Sequence, residues 1–156
     1  MAKMSELIVY NLRKEKFSHS LNASGVANRW NKNEEYIIYT ASSRALSVLE
    51  LSVHRAYIKI DESYKFLVVK LSVFSSDLEE IQVNELSENW QSITNYPALQ
   101  KLGSVWYRAM DKLVLKVPSA LVPKEFNYLI NTKHPDFEKK VKLVEIEDFN
   151  WDDRLI

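Results

Sequence analysis

NRWNKNEEYIIYTASSRALSVLE, residues 28–50, places an arginine in a polar loop, a tyrosine in an aromatic and β-branched run, and a glutamate in a helical rhythm. The run YIIYTA, 36–41, is bounded by polar residues and predicts a strand. Ser42 or Ser43 predicts a helix beginning at Arg44, because either hydroxyl can accept an orphan backbone N–H. With about 100° per residue, Leu46, Leu49, Val53 and Tyr57 share one stripe and Glu50 falls beside it. A carboxylate there either reaches out to water or faces a cleft, where partial burial and nearby cations make its charge useful. Because the strand runs straight into the helix, this topology can bring Arg29, Tyr39 and Glu50 around one crevice.

Outward from that stretch, Ile8–Tyr10 predicts a short first strand, followed by a polar, turn-rich loop with one helical turn at most. YKFLVVKLSV, 64–73, holds a four-residue apolar run of the kind found in central strands. Residues 77–90 are acidic and give no clear element. Pro97 opens a helix whose expected buried face is Leu99, Leu102, Trp106 and Ala109 or Met110, with Gly103 weakening it. Leu113, Leu115 and Val117 mark a strand that ends at Pro118 and Ser119, the polar residues 124–137 predict an irregular segment, and VKLVEIEDF a last strand. The sum is a single mixed α+β domain of five or six strands and two helices, without repeats or linkers.

Composition narrows the function. The 156 residues are 46% hydrophobic and 27% charged, enough for one core. Lys plus Arg and Asp plus Glu both number 21, which removes the broad positive field of a nucleic-acid binder and predicts no direct nucleic-acid contact. Cysteine is absent, excluding disulfides and thiolate chemistry. No apolar run reaches signal-peptide or membrane-span length, so a cytoplasmic protein is expected. His19, His54 and His134 form no metal spacing, and no dinucleotide-fold, Walker or nucleophile-elbow pattern occurs. Arg29 suits a phosphate because its planar fork can bind two oxygens. His54 lies four residues after Glu50. Ser119 sits at a strand end, and Asn127, Tyr128 and Asn131 can hydrogen-bond a ligand or organise their segment.

RWN, then IYTASSRALSVLE, then VPSALVPKEFNYLINTKHPDF, in that order, closely resemble the RES domain family, named for an arginine, a glutamate and a serine, and the toxins of Xre–RES toxin–antitoxin pairs. The resemblance runs from VYNL near residue 9 to HPDF at 134–137, treats 1–156 as one domain, and implies an ADP-ribosyltransferase-like β core with flanking helices. It carries Arg29, Glu50 and Ser119 onto the name-giving positions and Tyr39 onto the tyrosine of the central block. It implies NAD as a substrate rather than a tightly bound cofactor, with the nicotinamide–ribose bond cleaved by water or by phosphate as co-substrate. Arg29 would hold the pyrophosphate, Tyr39 would pack near the nicotinamide or its ribose, Glu50 would engage that ribose, and Ser119 would orient ligand or site residues. Asn127 is a further candidate contact to NAD. Asn11 stands where the family places a second NAD-contacting arginine, and Arg13, two residues on, is the candidate replacement; VANRWN replaces a glycine-rich approach to Arg29. Two alternatives stay open: ADP-ribose transfer to a macromolecule, and a RES domain that acts through antitoxin binding. The implied partner is an Xre-like antitoxin, in a complex with room for a homodimer.

Overall fold

The computed structural model describes residues 3–54 and 58–155. Its strands are β1 Ser5–Lys14, β2 Ile37–Ala41, β3 Tyr64–Val73, β4 Leu78–Glu80, β5 Val114–Pro118, β6 Phe126–Asn131 and β7 Val141–Phe149; its α-helices are α1 Arg44–Ser52, α2 Tyr96–Ala109 and α3 Phe137–Lys140. All seven strands join one sheet in the order β4-β5-β6-β2-β1-β3-β7, antiparallel except where β4 runs parallel to β5.

Strand alternation sorts the side chains onto two faces. Val9, Ile38, Leu67, Val69, Val114 and Ile130 share one face, covered by Phe137 of α3 and by Leu21 and Ala23 of the loop after β1. Ile37, Leu115, Val117 and Leu129 occupy the other face, beneath Leu99, Trp106 and Tyr107 of α2. The register Tyr10↔Ala41 puts Tyr10 and Leu12 on that same side, where Leu12, Tyr64 and Phe66 receive Val48 and Leu51 of α1. Both long helices therefore cover one face, α1 over β1 and β3, α2 over β5 and β6.

Four sequence expectations change. The sheet has seven strands, because Leu78–Glu80 adds an edge and the supposedly irregular 124–137 contains β6. Asn127 and Asn131 made that segment look loop-like, yet both sit within the ladder with hydrogen-bonded side chains. In α1, Leu49 and Val53 are 41% and 54% exposed, while Leu46 is buried and Val48 and Leu51 pack inward; Tyr57 lies outside the described residues. A short helix needs only one inward row, and here that row is turned so that Ser47 and Glu50 border a cleft. In α2, Leu102 and Met110 are exposed and Ala109 lies outward, while the buried row is Leu99, Gly103, Trp106 and Tyr107. Gly103 sets that rotation: a Cβ there would lie 1.7 Å from the Trp30 carbonyl oxygen, so only glycine lets the helix come this close. Among the described residues no helix is long and apolar enough to cross a membrane.

Where β3 ends, Asp77 accepts the Phe74 amide at 2.8 Å and two contacts of 2.9 Å from Lys140 Nζ, tying this corner to α3. Burial opposes the Asp77 charge, but the Lys140 ammonium and the Phe74 amide outweigh it and hold the carboxyl below its ordinary value. The unfolded chain therefore takes up this proton first. The stabilisation is complete above the ordinary carboxylate range, near pH 4, and is lost as pH falls through the lower folded value. Asp77→Asn should cost about 2 kcal/mol at neutral pH, and urea unfolding from pH 6 down to about 3 should show the gap to the unsubstituted protein closing. A constant gap would place the stabilisation elsewhere.

Candidate active site

Between α1 on one side and the Arg29 loop and first turn of α2 on the other lies a cleft. Its floor is β1 and β2, and its lining includes Tyr10, Asn11, Arg29, Tyr39, Glu50, His54, Tyr96 and Asn127. The local sequence builds each wall. The Ser43 side chain accepts the Leu46 amide at 3.1 Å and starts α1 at Arg44, fixing the helix phase that places Glu50 one turn beyond Ser47. Ser119 follows β5, and Asn127 stands opposite Ala41 in the β2–β6 ladder.

Glu50 is the centre of the arrangement. Its Oε1 accepts Ser119 Oγ at 2.5 Å and Asn127 Nδ2 at 3.1 Å, so two donors from different elements hold one oxygen of the carboxylate. Ser119 is fully buried, and its oxygen also accepts the Leu121 and Val122 amides, each at 3.1 Å. A hydroxyl has one proton and two lone pairs, and all three are committed. Ser119 thus orients Glu50 and closes its own turn, and its oxygen has no lone pair left for nucleophilic attack.

Arg29 stands at the mouth of the same cleft. Its Nη1 donates to the Gln91 carbonyl at 3.0 Å and its guanidinium lies 4.8 Å from the centre of the Tyr96 ring, which leaves most of the planar fork uncommitted. Among the described residues that line the cleft it is the one permanent cation, and Glu50 is the one carboxylate. Tyr39 presents its ring to the cleft but its hydroxyl to the loop below Arg29, donating to Asn31 Oδ1 at 2.6 Å and accepting the Trp30 amide at 3.0 Å. Burial pushes the phenol far above its ordinary value, so Tyr39 stays protonated and acts as a donor.

Arg13 does not line the cleft. Strand alternation puts it on the opposite face from Tyr10 and Leu12, where it donates to Asn11 Oδ1 at 2.6 Å and to Phe17 and Asn22. Burial lowers its guanidinium to about 10, still a cation at neutral pH. Asn11 uses its amide on the Tyr39 carbonyl at 2.7 Å. The structure thus brings together Arg29, Tyr39, Glu50, Ser119 and Asn127, with Arg13 reaching the site only through Asn11. Tyr96 and Gln91 escaped the sequence reading because no local pattern joins them to residues more than sixty positions away. Among the described residues no group of three His, Asp or Glu side chains is placed to hold a metal ion.

Known proteins resemble this chain in sequence and in fold. A toxin Res of Photorhabdus laumondii subsp. laumondii is 28% identical over 155 residues, covering 96% of this chain and 97% of the relative. A Prs ADP-ribosylating toxin of Sphingobium sp. is 33% identical over 130 residues, covering 82% and 80%. The crystal structure of the M. tuberculosis MbcT–MbcA toxin–antitoxin complex contains a chain of the same fold, with a TM-score of 0.76 at 12% identity over 96% of this chain and 87% of that one. The RES domain model matches residues 8–152, nearly the whole described sheet and every wall of the cleft, and the chain belongs to the RES domain family.

Proposed function

We propose that this protein is the toxin of a toxin–antitoxin pair and consumes NAD by cleaving the bond between nicotinamide and ribose. The observation that carries the reading is a carboxylate held by two donors in a cleft that Arg29, the one permanent cation among its described lining residues, also lines. In this reading Arg29 binds the pyrophosphate through its free guanidinium donors, and the nicotinamide ribose lies beside Glu50. As the C–N bond breaks, nicotinamide leaves with the electron pair and the ribose gains oxocarbenium character. A fixed carboxylate stabilises that charge more than it stabilises neutral ground-state ribose. Ser119 and Asn127 contribute by holding Glu50 in place before the charge appears, so little reorganisation is required during the step.

An oxygen nucleophile then bonds to the ribose carbon: water gives a hydrolase, inorganic phosphate a phosphorylase. Transfer of ADP-ribose to a macromolecule is the second reading, favoured by the name of the Sphingobium relative, a Prs ADP-ribosylating toxin. The core is read as ADP-ribosyltransferase-like by the resemblance in its motifs. The partner is read as an Xre-like antitoxin; the complex named for the structural neighbour supports a toxin–antitoxin setting.

The partner-free protein should release free nicotinamide from NAD, and comparing products with and without phosphate identifies the acceptor. A folded protein that releases none in either buffer excludes the proposed chemistry, and label appearing on an added protein selects transfer. Arg29→Ala should weaken NAD binding by about 2 kcal/mol, some 30-fold in Kd, as a charge-assisted contact is lost; unchanged affinity by calorimetry removes Arg29 from phosphate binding. Glu50→Gln keeps size and polarity but not charge. It should fold, bind NAD nearly normally and turn over roughly 100-fold more slowly, and near-normal single-turnover nicotinamide release would return Glu50 to a structural role.

A further inference from the structure

The loop that carries Arg29 has little regular structure of its own. One bridge closes it, with the Asn28 amide on Asn31 O at 3.1 Å and the Asn31 amide on Asn28 O at 3.3 Å. Its conformation is instead held from beneath. Asn31 is 1% exposed, and its side-chain amide donates to the carbonyls of Val26, Lys32 and Glu35 at 3.0, 2.9 and 3.2 Å while its oxygen accepts the Tyr39 hydroxyl. The Tyr39 oxygen accepts the Trp30 amide in return, so the two bonds from this phenol land on the residues one and two positions after Arg29. Glu35 extends the clamp to α2: one carboxylate oxygen takes the Lys32 amide at 2.8 Å, the other Ser104 Oγ and Arg108 Nε. The Trp30 carbonyl seats against Gly103 of the same helix.

We propose that Asn31 and the Tyr39 hydroxyl are positioning residues, which make no bond to substrate and act by fixing the loop that presents Arg29 to an anionic ligand. Asn31 is absent from the cleft lining, and the only proton of the Tyr39 hydroxyl points away from the cleft into Asn31. The physical benefit is preorganisation: a long arginine on an unrestrained loop loses conformational freedom each time it binds, whereas a clamped loop has lost it during folding. Buried bonds suit this task because an unmade one is costly, so the loop has a single well-satisfied conformation. This assigns the Tyr39 hydroxyl a role different from contact with nicotinamide or its ribose and leaves its ring as cleft wall.

The test separates this inference from the NAD reading on which its ligand rests. Backbone amide exchange followed by NMR should show the Trp30 amide protected in the unsubstituted protein, and an unprotected Trp30 amide there overturns the inference without any variant. Tyr39→Phe, which keeps the ring, should raise Trp30 exchange by about tenfold or more, the scale of one lost hydrogen bond, while Leu115 and Leu129 in the sheet stay unchanged. NAD affinity should fall by about tenfold on the same scale, with the rate of nicotinamide release at saturating NAD held within about threefold. In an Arg29→Ala background Tyr39→Phe should weaken NAD binding little further, because both changes remove the same contact. Unchanged Trp30 exchange, fully additive affinities, or a fall in the saturated rate with affinity intact would each overturn the assignment. If the unsubstituted protein binds no NAD, the proposed function fails and the Trp30 exchange in Tyr39→Phe alone decides the positioning role.

Discussion

β2 pairs with β6 along its whole length but meets β1 at one register position, Tyr10↔Ala41, and everything at the site depends on this parting of the sheet. Two strands that diverge leave backbone groups without ladder partners, and buried backbone groups must find others. The Tyr39 carbonyl finds Asn11, whose amide crosses the gap and is steadied by Arg13. Above the gap lies the cleft, with α1 on one side and the Arg29 loop on the other. A fully zipped β1–β2 pair would bring those walls together over a closed surface.

The two walls are stiffened by different means. On the α1 side a single charged group is held by neutral donors: Ser119 and Asn127 converge on one oxygen of Glu50, and the Ser119 hydroxyl is itself locked by two amides of its turn. On the loop side the charged group is left largely unbound and its backbone is held instead, through Asn31, Tyr39 and Glu35. Glu35 shows how far this goes. Burial opposes its charge, yet hydrogen bonds from Ser104, the Lys32 amide and Arg108 outweigh that and hold its carboxyl below its ordinary value. It remains an ionised anchor between the loop and α2, with Arg108 reaching it from a largely exposed position.

Asn11 is understood better in this frame than from its type alone. The asparagine there satisfies the backbone of β2, and Arg13, two residues on and on the same face of β1, donates to its oxygen. Among the described residues that line the cleft the permanent positive charge is that of Arg29, whose fork rests against Tyr96 and the Gln91 carbonyl.

The sequence by itself determined β2, β3 and the start of α1, because a β-branched and aromatic run bounded by polar residues, a continuous apolar run and a serine cap are local signals that need no tertiary partner. It also marked Arg29, Tyr39, Glu50 and Ser119, through three ordered blocks whose resemblance to RES domains the family model bears out over residues 8–152. It did not reveal β6, whose asparagines look like loop residues until Glu50, Tyr107 and Met110 supply their partners. It placed Leu46, Leu99 and Trp106 correctly but not the rest of the buried rows of α1 and α2, since a nine-residue helix offers too few turns to define a stripe and Gly103 packs against Trp30. Which side of β1 Arg13 occupies relative to the cleft, and the pairing of Asn31 with Tyr39, were decided only by the tertiary structure. Such assignments depend on strand register and on bonds between segments distant in sequence, and neither leaves a periodic trace along the chain.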